Sequence, residues 1–109
     1  MQDSPTRATS SAIAALRAPT SAKAVLLALL QLKGGMVDVT LPDATKLRFG
    51  EDLTAPVDFK IRNYGFARRV LTSGDIGFAE GLMAGEWESE NLSDLLTLPA
   101  NNVERFTRL

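Results

Sequence analysis

NYGFARRVLTSGDIGFAEGLMAGEWESENLSDLL, residues Asn63 to Leu96, is the stretch whose reading decides the fold of this chain. Two short amphipathic runs meet at Thr72-Ser73-Gly74-Asp75, and a third begins after Ser89-Glu90-Asn91. In the first run Phe66, Val70 and Leu71 recur at helical spacing, with Arg68 and Arg69 elsewhere on the turn. Gly74 stands where a helix end requires a left-handed residue, a conformation that costs glycine no Cβ clash. Asp75 is then the expected cap of a second helix, with Ile76, Ala79, Leu82 and Met83 as its apolar positions. Gly85 closes that helix. Glu86-Trp87-Glu88 alternates as a short strand, with Trp87 inward and both glutamates outward. Asn91 is the expected cap of a last helix, helped by Asp94; Leu92, Leu95, Leu96 and Leu98 form its stripe and Pro99 limits it.

Upstream, Met36 to Leu41 alternates, with Val37, Val39 and Leu41 on one side of a strand and Asp38 and Thr40 on the other. Leu47 and Phe49 continue the inward face after a turn at Pro42-Asp43-Ala44. Opposed residues of an antiparallel pair share a face, so Leu41 is expected to meet Leu47 and Val39 to meet Phe49. That pairing requires an odd-length connection or a bulge. Gly50-Glu51-Asp52 ends the hairpin, and Val57, Phe59 and Ile61 make a third strand facing inward. Before the hairpin, Ser21 is the expected cap of a helix over Ala22 to Leu32, stopped by Gly34-Gly35. Its face of Val25, Leu26, Leu29, Leu30 and Leu32 packs on the sheet or, in the alternative, lies in a membrane interface. The run is well short of the ~20 apolar residues that span a bilayer.

The chain has 109 residues, enough for one domain. The expected organisation is a flexible arm over residues 1–20, an α+β domain over 21–98 and a helix or linker stub over 99–109. The fold expected is a small antiparallel sheet with helices packed on one face. There is no cysteine and no histidine, and the formal net charge is −1. Those counts exclude disulfides, thiolate sites and histidine as base or metal ligand, and a broad basic face for nucleic acid is not expected.

The segment FARRVLTSGDIGFAEGLMAGEWESENLSDLL, with VDVTLPDATKLRFG upstream, resembles the N-terminal domain of bacterial cyclopropane-fatty-acyl-phospholipid and mycolic acid cyclopropane synthases. GDIGFAEGLMAGEW carries the most specific part of the likeness, which extends over roughly Leu29 to Asn102. More distantly, Leu82-Met83-Ala84-Gly85 resembles the turn of sterol-carrier (SCP2-like) lipid-binding domains. The family has Pro-Asp-Gly where this chain has Pro42-Asp43-Ala44. The resemblance implies a noncatalytic lipid-substrate module beside an S-adenosylmethionine-dependent methyltransferase domain. S-adenosylmethionine would be bound by that domain, since no strand–glycine loop–helix occurs in this chain. Implied partners are phospholipid or a membrane surface and a methyltransferase domain or subunit, in the cytoplasm or peripheral at the inner membrane.

No catalytic, cofactor-binding or metal-binding residue is expected here. Glu86 with Glu88, and Asp75 with Glu80, read as solvated acids. The candidate lipid contacts are Phe59, Phe66, Phe78, Met83 and Trp87, each of which is equally a core residue, together with Lys60 and Arg62. Lys60 and Arg62 share a strand face, as do Lys46 and Arg48. These cations either form a basic surface for lipid phosphate or are balanced by Asp38, Asp58 and Glu51. A free-standing sterol-carrier-type protein and a ligand-free interaction domain are the alternatives.

Overall fold

The computed structural model of the chain describes residues 5–31, 35–50 and 56–95. Their elements run β1 (Thr6–Arg7), α1 (Ser10–Ala14), α2 (Thr20–Leu29), β2 (Met36–Thr40), β3 (Lys46–Gly50), β4 (Val57–Ile61), α3 (Gly65–Met83) and β5 (Trp87–Glu88). The class is α+β, as expected, and the sheet has the order β1-β3-β2-β4-β5. One face of the sheet buries Val37, Val39, Leu47, Phe49, Phe59, Ile61 and Trp87 in a single cluster with Ile13, Ala22, Leu26 and Phe66 from the helices. The other face carries the charged partners of the alternation.

The sheet is mixed, which corrects the expectation of an antiparallel one. The pairs β2–β3 and β4–β5 are antiparallel, whereas β2–β4 and β1–β3 run parallel. Alternation fixes which face a strand buries and leaves its direction open. The hairpin register also differs by one pleat: Val39 opposes Leu47 and Val37 opposes Phe49. Every face survives this shift, because an offset of two residues preserves the alternation. The connection is the odd-length one. The Leu41 N–H donates to Thr45 O and the Ala44 N–H to Leu41 O, both at 2.8 Å, around Pro42-Asp43-Ala44.

The described part of residues 1–20 is built into the fold rather than forming a flexible arm. Thr6 and Arg7 pair with Leu47 and Arg48, and the Ala8 N–H donates to Arg48 O at 2.9 Å. The Thr9 hydroxyl then accepts the Ala12 N–H at 3.0 Å, capping α1 so that Ile13 points into the core with no exposed surface. Helix α2 begins one residue before Ser21, with extended Pro19 in the cap position and the Lys23 N–H on Pro19 O at 3.1 Å. Its buried Ala22 and Leu26, with half-buried Val25 and Leu29, repeat at three and four residues as an amphipathic face requires. Leu32, Gly34, Glu51, Asp52, Leu96, Leu98 and the 99–109 stub lie outside the described residues. The Asn91 carboxamide reaches the sheet. Its Oδ1 accepts the Asp58 N–H at 3.1 Å and ties the chain after β5 to β4.

Candidate functional site

Helix α3 is broken at Gly74, whose φ of 59° and ψ of −130° are not helical. The first arm, 65–73, buries Phe66 and Ala67. The second arm, 75–83, folds back over the first with Gly77 and Gly81 on its inner side. A Cβ on Gly77 would stand 1.9 Å from the Arg69 carbonyl oxygen, and one on Gly81 would stand 2.9 Å from the Phe66 Cβ. The glycines set the close approach, and they turn the arm away from its expected apolar face. Ile76 is 65% exposed and Met83 84% exposed, Ala79 is exposed, and Leu71 on the first arm is 46% exposed. Only Phe78 and Leu82 of the second arm pack against the core, both partly buried.

Beneath that arm lies an aromatic cluster. The Trp87 indole stacks on Phe78 with centroids 4.2 Å apart and planes 15° apart. Phe59 meets Trp87 edge-on at 5.3 Å, and meets Phe66 and Phe78 at 5.7 Å each. The indole N–H donates to Phe78 O at 2.8 Å, giving the buried polar atom the partner it requires. Gly85, at φ 76°, ends the arm in a Schellman closure: the Glu86 N–H reaches Gly81 O at 2.9 Å and the Gly85 N–H reaches Leu82 O at 3.0 Å. The Glu86 carboxylate then takes two bonds from the Arg69 guanidinium, at 2.9 and 3.2 Å, with Glu80 3.9 Å away. Hydrogen bonding and charge from Glu86 raise the Arg69 pKa further above its ordinary value. This fork fixes the base of the second arm to the first.

On the opposite face of the sheet Arg48, Lys60 and Arg62 are paired. Arg48 donates to both Asp38 oxygens, at 2.7 and 2.8 Å, and that hydrogen bonding raises its pKa. Arg62 reaches Glu88 at 2.8 Å and Lys60 stands 3.9 Å from the same carboxylate. The strand pairing that sets Lys60 opposite Glu88 therefore places one carboxylate between the two cations at this end of the sheet.

Of the candidate lipid contacts, Phe59, Phe66, Phe78 and Trp87 form one cluster on the helix side. Met83 points to solvent on the outer side of the second arm. Lys60 and Arg62 lie across the sheet from the cluster. Gly77, Gly81 and the Arg69–Glu86 fork were not among the candidates. The four-residue spacing of Gly77, Gly81 and Gly85 is their signal, since glycines at one-turn intervals mark a close helix contact. Among the described residues no helix is long and apolar enough to cross a membrane, and no group of three acidic, histidine or cysteine side chains is placed to hold a metal ion.

The chain is 44% identical over 55 residues to the tuberculostearic acid methyltransferase UfaA1 of Mycobacterium tuberculosis, which is 50% of this chain and 13% of that protein. It is 32% identical over 65 residues to the cyclopropane-fatty-acyl-phospholipid synthase of Escherichia coli K12, 50% of this chain and 17% of the enzyme. The synthase of E. coli strain CFT073 matches to the same extent. Half of this chain is homologous to the N-terminal region of the cyclopropane synthase family. The match thus spans less than a fifth of the length of these relatives. No family model matches it. No solved structure matches either, and the likeness to sterol-carrier domains finds no support in these comparisons.

Proposed function

We propose that this chain is a noncatalytic phospholipid- or acyl-chain-binding module. It serves S-adenosylmethionine-dependent modification of unsaturated lipid acyl chains by a catalytic domain that these residues do not include. The observation that carries the reading is the similarity to two enzymes, one named for a fatty-acyl phospholipid and one for tuberculostearic acid. The composition supports a supporting role rather than a catalytic one. Proton transfer near neutral pH is ordinarily the work of histidine, and the sequence has none. In this reading the cofactor belongs to the methyltransferase partner, and the module acts at the cytoplasmic surface of the membrane.

Among the described residues, the large apolar side chains exposed to an acyl phase are Leu71, Ile76 and Met83 on α3, with Leu27 on α2 and Leu92 after β5. Attraction to anionic headgroups contributes little, because Lys60 and Arg62 already share Glu88. Cosedimentation with phosphatidylglycerol vesicles tests the proposal. Retention is expected at low salt and is expected to persist at high salt, where screening would remove a headgroup contact between exposed charges. Absence of retention, together with native mass spectra free of copurifying lipid, would leave a ligand-free interaction domain in its place.

A further inference from the structure

We propose that the second arm of α3 is a strap hinged at Gly74, and that a long acyl chain binds beneath it against Phe59, Phe66 and Trp87. This inference rests on the lipid-binding reading above and names where the chain enters. The first support is the hinge itself. Gly74 adopts a backbone conformation open only to glycine, yet a Cβ there would meet nothing within 4 Å. Close packing therefore does not explain the glycine; the change of direction between the two arms does. Gly85, at the other end of the strap, is likewise at positive φ with nothing within 4 Å of a Cβ.

The second support is how little side chain holds the strap down. Two of its inward positions are glycines, so its apolar anchorage is Phe78 and Leu82, and its polar anchors are the Trp87 indole on Phe78 O and Arg69, 3.9 Å from Glu80 and forked on Glu86 at the strap's base. Lifting the strap forfeits those contacts and leaves the strands and the first arm intact. The third support is what the strap covers. Phe59, Phe66 and Trp87, with Phe59 5.7 Å from Phe66 and 5.3 Å from Trp87, make an apolar floor, and an acyl chain sliding over it would replace the ring of Phe78 with methylenes. The strap's outer side mixes exposed Ile76, Ala79 and Met83 with exposed Asp75 and Glu80, so the inner side, with Phe78 and Leu82, is the one that covers a bound chain.

Binding that requires the raised state is weakened by the fraction of molecules in which it is raised. Substituting Gly74 by alanine strains the closed corner selectively. It should therefore raise the open fraction, and with it the apparent acyl affinity, by about fivefold or more.

Trp87 is the chain's one tryptophan and lies under the strap, so its emission reports the event directly. Phosphatidylglycerol vesicles would be prepared with unmodified or with mid-chain-brominated acyl chains, and both cosedimentation and Trp87 emission followed for the wild-type chain and Gly74→Ala. The expected result is retention in both vesicles, loss of emission only in the brominated ones, and stronger loss at lower lipid for Gly74→Ala. Far-UV circular dichroism keeps the variant interpretable. If that variant fails to fold, exchange of the wild-type Trp87 indole N–H decides instead: it should quicken with vesicles. Retention without bromine quenching, or quenching identical in both proteins, overturns the strap and leaves the lipid-binding reading standing. No retention of the folded wild type overturns both.

Discussion

Ala44 occupies the left-handed position of the β2–β3 connection at φ 75°. An L-residue there brings its Cβ against the backbone at a cost of roughly 1–2 kcal/mol. Ala44→Gly should therefore stabilise the fold by about 1 kcal/mol, less the extra freedom glycine gains in the unfolded chain. A higher urea midpoint at unchanged slope checks this. Asp43, beside it, accepts the Thr45 N–H at 3.0 Å, and hydrogen bonds from Thr45 lower its pKa. A lowered folded pKa means stability that is present above the unfolded value of about 4 and is lost as pH falls through the folded one. Wild type and Asp43→Ala should differ by a constant amount near neutrality, and the difference should shrink below about pH 4. A difference independent of acid down to pH 2 would show that the charge on Asp43 does not carry that stability.

At the scale of the element, α3 separates spacing from packing. Ile76, Ala79 and Met83 repeat at helical intervals, yet they face solvent, and the side that packs carries Gly77 and Gly81. Gly77→Ala should be strongly destabilising, by about 1–3 kcal/mol or more, because the clash is with a backbone carbonyl that cannot rotate away. Gly81→Ala meets side chains at 2.9 to 3.1 Å and should cost less. Ile76→Ala should change stability by under about 0.5 kcal/mol, as surface substitutions do. Thermal melts of the three variants give the ranking, and a large loss for Ile76→Ala would restore the face that spacing alone suggests. The helix boundaries were legible because glycine at positive φ is a local requirement, met at both Gly74 and Gly85. Trp87 was legible because strand alternation is local too. The inward side of the second arm was not, since an apolar pattern counts side chains and this contact is made by their absence. Of the candidate lipid contacts, the four aromatics could be grouped only once α3 was seen to fold back. The pairing of Lys60 and Arg62 with Glu88 depended on where β5 docks.

For the whole molecule, the question is what the segment before α2 contributes. Composition suggests an arm free of the domain, because residues 1–11 are small and polar and lack apolar periodicity. One residue of the next turn decides otherwise. Ile13 has no exposed surface and sits in the same cluster as Val39, Phe49 and Trp87, while Thr6 and Arg7 occupy the edge of β3. Edge strands present unpaired amides that tend to recruit other chains, and this two-residue strand shields part of that edge, with the Arg7 guanidinium on Gly50 O at 2.6 Å. Ile13→Ala removes buried methyl groups with little scope for collapse and should cost about 2–5 kcal/mol. A small domain has only ~5–15 kcal/mol in total, so the variant should melt far below the wild type. A truncation that starts at Thr20 should lose more, since it also bares the β3 edge, and should aggregate rather than refold. A truncated chain that melts with wild-type cooperativity at the wild-type temperature would show that residues before α2 lie on the domain without supporting it.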